Sequence, residues 1–342
     1  MQLKPNSRRA FMARGCAALA TPGVLLTVFA VPALSASTHA TAQTPPTSLR
    51  ILCSGPAGSI PDIVARRVAE QLVAAGQPAI VDNRPGAAGQ IAVGALKNGS
   101  GDGSTMLLAQ GAVAAVYPYL YSKLAYDPIA DLAPVSMAGD MTLALAVGPA
   151  VPDSVTDIRG LIAWMRREPK LANAGSPGKG TLPHLLEAML FREAGVPWQH
   201  IVYSGGPPAV VDLLGGQIAM LVLPEGLFLQ HKAAGRLRVL ATSGTQRTAT
   251  LPDVATLVEQ GYSNLVVREW FGFFMSGRVA PNVIEASSKM LRQALAQPAL
   301  VAAFAESGMV AVSSTPSALA ARIATEQRYW EPVVRANGVS VE

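Results

Sequence analysis

Residues 48–67 read Ser48-Leu49-Arg50-Ile51-Leu52-Cys53-Ser54-Gly55-Pro56-Ala57-Gly58-Ser59-Ile60-Pro61-Asp62-Ile63-Val64-Ala65-Arg66-Arg67. The order is strand, glycine loop, helix. Leu49, Ile51 and Cys53 alternate with Arg50 and Leu52, the pattern of a short strand at a sheet edge. Ser54 to Ser59 holds two glycines and a proline, and a strand cannot run through that. Ser59-Ile60-Pro61-Asp62 then supplies a capping hydroxyl, a first-turn proline and a carboxylate at the third position. Ile63, Val64, Val68 and Leu72 recur at helical spacing. Such a loop aims backbone N–H groups out of a helix N-terminus, where the dipole is positive, and offers a place for an anion.

The construction recurs. Residues 173–184 read N-A-G-S-P-G-K-G-T-L-P-H, with Thr181 and Pro183 starting a helix that carries Leu185, Leu186, Met189 and Leu190. Residues 203–212 read Y-S-G-G-P-P-A-V-V-D. Each loop turns on glycines and enters a helix through a proline. They read as converging on one anionic ligand from two facing lobes.

The chain has 342 residues, 50% of them hydrophobic, enough for two domains with cores of their own. Residues 1–42 read as an export signal. Ser7-Arg8-Arg9-Ala10-Phe11-Met12 resembles the twin-arginine pattern, an apolar run spans Cys16 to Leu34, and Ala40-Thr41-Ala42 offers cleavage before Gln43. A transmembrane anchor is the competing reading, but Pro22, Gly23 and Pro32 interrupt the run. General export signals carry basic residues too, so the route stays open. Lys4, Arg8, Arg9 and Arg14 lie in this segment, and removing them leaves 23 basic against 22 acidic residues. The apparent basicity belongs to export, and nucleic-acid binding loses its support. Cys53 is then the one remaining cysteine, expected as a small apolar residue inside the first strand.

After a Pro/Thr-rich tether at 44–47, short strands are expected at 79–82 and 105–109, separated by the glycine-rich turn Asn83-Arg84-Pro85-Gly86-Ala87-Ala88-Gly89-Gln90. Alternating strands and helices of this size predict α/β lobes with mostly parallel sheets and helices on both faces. In such sheets ligands sit at the carboxyl ends of strands. Leu143 to Val147 reads as a strand leaving the first lobe, Asp153 to Arg167 as a helix, and Leu265 to Met275 as the return. The expected division is lobe 1 over 47–143, lobe 2 over 144–264 and a C-terminal return over 265–342. The tail reads as helices at 281–296, 299–307 and 316–337, with Pro332 kinking the last or marking its final turn and Gly338 stopping it.

Taken in order, these motifs resemble the substrate-binding proteins of tripartite tricarboxylate transporters, the Bug-type receptors. The resemblance covers nearly all of residues 48–338. It rests on R-I-L-x-x-G-P-A-G-S-x-P-D-I-V-A-R at 50–66, V-D-N-R-P-G-A-A-G-Q-I at 81–91 and G-D-G-S-T-M-L-L at 101–108. It continues through L-Y-S-K-L-A-Y-D-P-I-A-D-L-A-P-V-S at 120–136, A-G-S-P-G-K-G-T-L-P-H-L at 174–185 and V-V-D-L-L-G-G-Q-I at 210–218, and then through L-P-D-V-A-T-L-V-E-Q-G at 251–261 and W-F-G-F-F at 270–274. The resemblance implies a two-lobed periplasmic binding protein fold, type II-like, with a two-strand hinge. It implies a monomeric receptor that closes on a small organic acid and delivers it to membrane subunits of such a transporter. Sensing through a membrane partner shares this architecture and stays open.

The resemblance and the loops together nominate Ser54, Gly55, Ala57, Gly58, Ser59, Asp62, Gln110 and Gly111 from the first lobe. From the second they nominate Ser176, Gly178, Lys179, Gly180, Thr181, His184, Ser204 and Gly205. The chain departs from the family in several places. Ser54-Gly55 stands where an aromatic often follows proline, Gln110-Gly111-Ala112 replaces a Thr/Ser-rich stretch, and Lys179 puts a charge where small or polar residues are usual. Ser204 stands for a common lysine and Ala219 for a common aspartate. Ligand identity is what these changes affect.

Other chemistries find little footing. Residues 175–181 look like a phosphate loop, but Asn173 occupies the position that needs glycine and Gly180 follows Lys179 where a hydroxyl belongs. There is no Gly-x-Ser-x-Gly elbow, and His184, His200 and His231 lack metal-site spacing, so no enzyme, metal or cofactor is expected. Asp62 reads either as a partner for a ligand amine or as a helix-start carboxylate. His184 faces either the cleft or the core, and Trp270 with Phe271 form either hinge core or a stacking surface.

Overall fold

The computed structural model describes residues 48–337 and residue 341. The chain divides into two units after Ala42, and all described residues belong to the second. The export signal, the 44–47 tether and the stop at Gly338 lie outside the described residues.

β1 (Leu49–Cys53) pairs in parallel with β2 (Ala79–Asn83) on one side and β3 (Thr105–Gln110) on the other, so it is central and β2 is the edge. The alternation that suggested an edge came from Arg50 alone. Ile51 and Cys53 enter one core cluster and Leu52 another, because helices cover both faces. Burial pushes the Cys53 thiol up to about 12, as suits an inert core cysteine.

α1 (Ile60–Ala74), α2 (Gln90–Lys97) and two short helices, α3 (Ala112–Ala115) and α4 (Tyr117–Leu120), complete the first part of lobe 1. β4 (Leu132–Val147) is the spine of the molecule. Its Leu132–Thr142 portion pairs with the first lobe, and its last five residues, Leu143–Val147, pair with the second. The short strand expected at 143–147 is thus the end of one 16-residue strand.

The second lobe follows as α5 (Ile158–Arg167), β5 (Asn173–Ser176), α6 (Leu182–Ala194), β6 (Gln199–Val202), α7 (Gly206–Leu214), β7 (Met220–Pro224), α8 (Leu229–Ala233) and β8 (Arg238–Thr242). α5 starts at Ile158, not at Asp153, because Asp157 accepts the Gly160 N–H and caps it. β9 (Arg268–Ser276) returns to the first lobe, followed by α9 (Pro281–Leu295), α10 (Pro298–Glu306), β10 (Met309–Ala311) and α11 (Pro316–Asn337). α11 continues beyond Pro332, which stands in its last turn and a half.

The strand order is β2-β1-β3-β9-β4-β7-β5-β6, with β10 and β8 also on β4. The outer strands of each lobe are parallel, as expected. Every pairing of β4 or β9 is antiparallel, because one strand leaves the first lobe and the other comes back. The two crossings meet at one level: Arg268 pairs with Thr142, and the Ser243 N–H donates to the Leu143 carbonyl. Gly111 shows how tightly β9 is held. A Cβ there would lie 1.9 Å from the Trp270 ring.

Candidate ligand-binding site

A cavity of about 380 Å³ lies between the lobes. The first lobe contributes the 54–61 loop, the 85–90 loop and Gln110, the second contributes the 177–183 and 202–206 loops, and β9 contributes Glu269 and Phe271. All three glycine loops therefore meet at one space. Of the nominated residues, Ser54, Gly55, Ser59, Gln110, Gly178, Lys179, Thr181, Ser204 and Gly205 line it. Ala57, Gly58, Asp62, Gly111, Ser176, Gly180 and His184 do not.

The reason is in the loop geometry. Gly58 turns at φ 77°, and its N–H donates to Asp62 Oδ2 at 2.9 Å. Gly180 turns at φ 85°, and its N–H donates to His184 Nδ1 at 3.0 Å. Each loop thus spends an amide on its own helix. The hydroxyls behave alike: Ser59 Oγ donates to the Pro56 carbonyl at 2.6 Å and Thr181 Oγ1 to the Gly178 carbonyl at 2.8 Å. Neither caps its helix by side chain, contrary to the capping pattern read at Ser59. They close the loops instead.

Asp62 stands behind the first loop. Asn83 Nδ2 donates to its Oδ1, while the Gly58 N–H and Arg66 Nε reach Oδ2. Burial alone would raise this carboxyl, but the bonds from Arg66, Gly58 and Asn83 outweigh it and hold the group below the usual carboxylate range. This is the helix-start carboxylate, with its oxygens engaged away from the cleft.

Behind the second loop the backing is uncharged. The His184 and His200 rings stack at 3.9 Å, and His200 Nε2 lies 2.7 Å from Ser176 Oγ. Burial first, then mutual repulsion and Lys179, bring His184 down to about 3, and burial with Lys179 brings His200 to about 4. Glu187, fully buried 3.9 Å from His200, is pushed well above the ordinary carboxyl value by burial. His184 is a core residue that supports the loop from within.

Among the wall residues that were not nominated, four features stand out. The first is the 86–89 loop, where Gly86, Ala87, Ala88 and Gly89 all have positive φ. Two alanines in the left-handed region store strain of the kind found at functional sites. The Ala88 carbonyl is held by Gln110 Nε2 at 2.6 Å and by Tyr117 Oη at 2.8 Å, and Ser54 Oγ donates to Gln110 Oε1. The glycines of this turn were visible in the sequence; its place on the cavity was not. The others are Tyr121, Phe271 and Glu269. Trp270 is core, its indole bound to Glu326 at 2.8 Å, while its neighbour Phe271 faces the cavity.

The lobes touch across the cleft. Tyr121 Oη donates to the Lys179 carbonyl at 2.9 Å. A Cβ on Gly205 would lie 2.6 Å from Pro56, one on Gly180 2.6 Å from Leu120, and one on Gly178 3.4 Å from Ala88. Glycine at these points lets the two lobes approach.

Two lobes, a pair of crossing segments and one cavity between the lobes define the two-lobed periplasmic binding protein fold. The profile of the tripartite tricarboxylate transporter family receptor matches residues 64–339. Protein BugT of Bordetella pertussis is 33% identical over 327 residues, covering 95% of this chain and 98% of its own. The chain belongs to this receptor family. The solved structure of periplasmic binding protein BugD superposes with a TM-score of 0.82 at 25% identity, covering 87% of this chain and 100% of that one. That of R. palustris Rpa4515 with adipate gives 0.81 at 23% identity, covering 86% and 98%, and shares the fold.

Proposed function

We propose that this protein is a periplasmic receptor, processed near Ala42/Gln43, that captures a small organic acid between its lobes. It then delivers the acid to the membrane subunits of a tripartite tricarboxylate-type transporter. The observation that carries the reading is the convergence of glycine loops from both lobes on one cavity whose wall, among the described residues, holds two charged side chains, Lys179 and Glu269. A carboxylate there meets the positive ends of α1, α6 and α7 instead of a cluster of cations. Because the amides of Gly58, Ser59, Gly180 and Thr181 are engaged inside their loops, and the Ser54 hydroxyl is given to Gln110, the remaining loop amides and the Ser204 hydroxyl carry the contact. Lys179, exposed at the rim, supplies a charge for a second carboxylate. Contact with both lobes stabilises the closed arrangement, which links binding to delivery. Membership of the receptor family and the adipate held by the Rpa4515 neighbour support this choice.

Thermal unfolding against a panel of mono- and dicarboxylates tests it. At least one acid raises Tm in proportion to its affinity. A protein that ignores every acid and is stabilised by sugars overturns it.

A further inference from the structure

Glu269, the second residue of β9, is the acidic side chain on the cavity wall. It is 4% exposed, and its Oε1 has no hydrogen-bond partner among the described residues. Buried polar atoms are nearly always paired, so an unpaired oxygen on a carboxyl whose residue lines a binding cavity points to an occupant. The neighbouring charges are already committed. Asp140 on β4 binds Arg268 of β9 and Arg322 of α11. Glu326 on α11 binds Arg322 at 2.8 Å and the Trp270 indole at 2.8 Å. Two guanidiniums thus serve two carboxylates, and neither bonds the third. Tyr117 of α4, whose hydroxyl donates to Ala88, stands nearby, and Tyr121, Tyr203 and exposed Lys179 share the cavity wall.

We propose that Glu269 is a specificity residue that keeps its proton and donates it to an oxygen of the bound acid other than the carboxylate at the glycine loops. The inference rests on the organic-acid reading above. It selects acids with a second oxygen acceptor, foremost a second carboxylate, over acids with a bare apolar tail. Burial first, then the charges of Glu326 and Asp140, push the Glu269 carboxyl up to about 8, which favours the neutral donor at neutral pH. An ionised Glu269 would repel an incoming carboxylate and suit an ammonium group instead. A neutral acid facing a carboxylate forms a charge-assisted bond and adds no like charge to the cavity.

Titration calorimetry with adipate, 6-hydroxyhexanoate, hexanoate and 6-aminohexanoate, four probes of one chain length, decides the matter. Should these prove too long while succinate binds, succinate, butanoate and 4-aminobutanoate replace them. The dicarboxylate is expected to bind at least about tenfold more tightly than the monocarboxylate at pH 6.5. That advantage should shrink as pH rises from 7 to 9, as Glu269 ionises. Glu269→Gln keeps an N–H donor, so it retains the preference and loses this pH dependence. Glu269→Ala lowers the preference to the part that Lys179 supplies and removes its pH dependence. Tighter binding of the amino acid, growing through pH 8 and abolished in Glu269→Gln, would overturn the proposal in favour of an ionised Glu269 holding a cation. Unchanged affinities and pH profiles in both variants would remove Glu269 from the contact while leaving the organic-acid reading intact. Failure of every acid on the wild-type protein would instead sink that reading, and this inference with it.

Discussion

In the first lobe a glycine at φ 77° gives its N–H to a side chain four residues on, and in the second a glycine at φ 85° does the same. In both, a hydroxyl residue follows the glycine, a proline stands in the first helical turn, and the acceptor lies on the helix behind the loop. The acceptors differ. Asp62 sits in a polar network whose Arg66 side chain is half exposed. His184 lies against His200 near fully buried Glu187, in an uncharged setting. Water near the first loop sustains an ion pair there, whereas charge is excluded behind the second. One backbone shape is thus held by two chemistries, and the two should separate under mutation and under acid.

The largest separation is expected between the two glycines. A Cβ at Gly58 meets nothing within 4 Å, so Gly58→Ala bears only the left-handed strain of about 1–2 kcal/mol and shows mainly as a lower Tm. Gly180→Ala bears the same strain and also meets Leu120 and Tyr121 across the cleft. The strain lowers Tm as at Gly58, while the clash across the cleft, about 1–3 kcal/mol in the closed state, lowers ligand affinity by roughly fivefold to a hundredfold in calorimetry. Equal affinities for the two variants would mean that Gly180 does not govern closure.

Asp62→Ala strips partners from Gly58, Asn83 and Arg66 at once. It should lower unfolding stability by roughly 2–3 kcal/mol in denaturant titration, with ligand affinity falling as the first loop loosens. Asp62→Asn should recover part of this. Lys179→Ala should leave stability alone and weaken a dicarboxylate by about 2 kcal/mol in calorimetry, while a monocarboxylate loses little. Equal losses for both ligands would return Lys179 to the solvent.

Acid separates the backings. His184 and His200 are depressed to about 3 and about 4, so the unfolded chain protonates first as pH falls. Their contribution is full above about pH 6.5, declines as pH drops and is lost through pH 4 to 3. Asp62 is also depressed, but from a lower ordinary value, so its share persists until pH falls below about 4. The unfolding free energy of the His184→Gln, His200→Gln double variant, read by denaturant titration, should therefore fall less steeply between pH 6.5 and 4 than that of the wild type, by several kcal/mol over the window. Parallel curves would mean that the pair is not the acid-sensitive element. The smallest effect is expected for Tyr121→Phe, which removes the cross-cleft bond to Lys179 and should cost about 1 kcal/mol of affinity, mostly as faster ligand release.

Much of this construction is local and stood in the sequence. Glycine, a hydroxyl residue and proline before an apolar stripe specify a loop entering a helix, because each acts on its own backbone within a few residues. The three loops, the leaving strand and the aromatic return strand are of this kind. What those residues face is a different matter. The central place of β1 depends on which strands flank it, and a single exposed arginine was enough to suggest an edge. Gly58 and Gly180 looked like anion donors, but a side chain one helical turn later claims each N–H, and only the folded loop shows that Asp62 and His184 turn inward. Ala87 and Ala88 carry no sign of a left-handed turn, since Gln110 and Tyr117, distant in sequence, hold that strain in place. Glu269 lay hidden in an aromatic strand, where the sequence is silent about its face. The sequence by itself determined the loops, the helices they enter and the family. The tertiary structure alone decided which groups meet in the cavity and which carboxyl there lacks a partner, because packing between distant segments assigns burial, pairing and protonation.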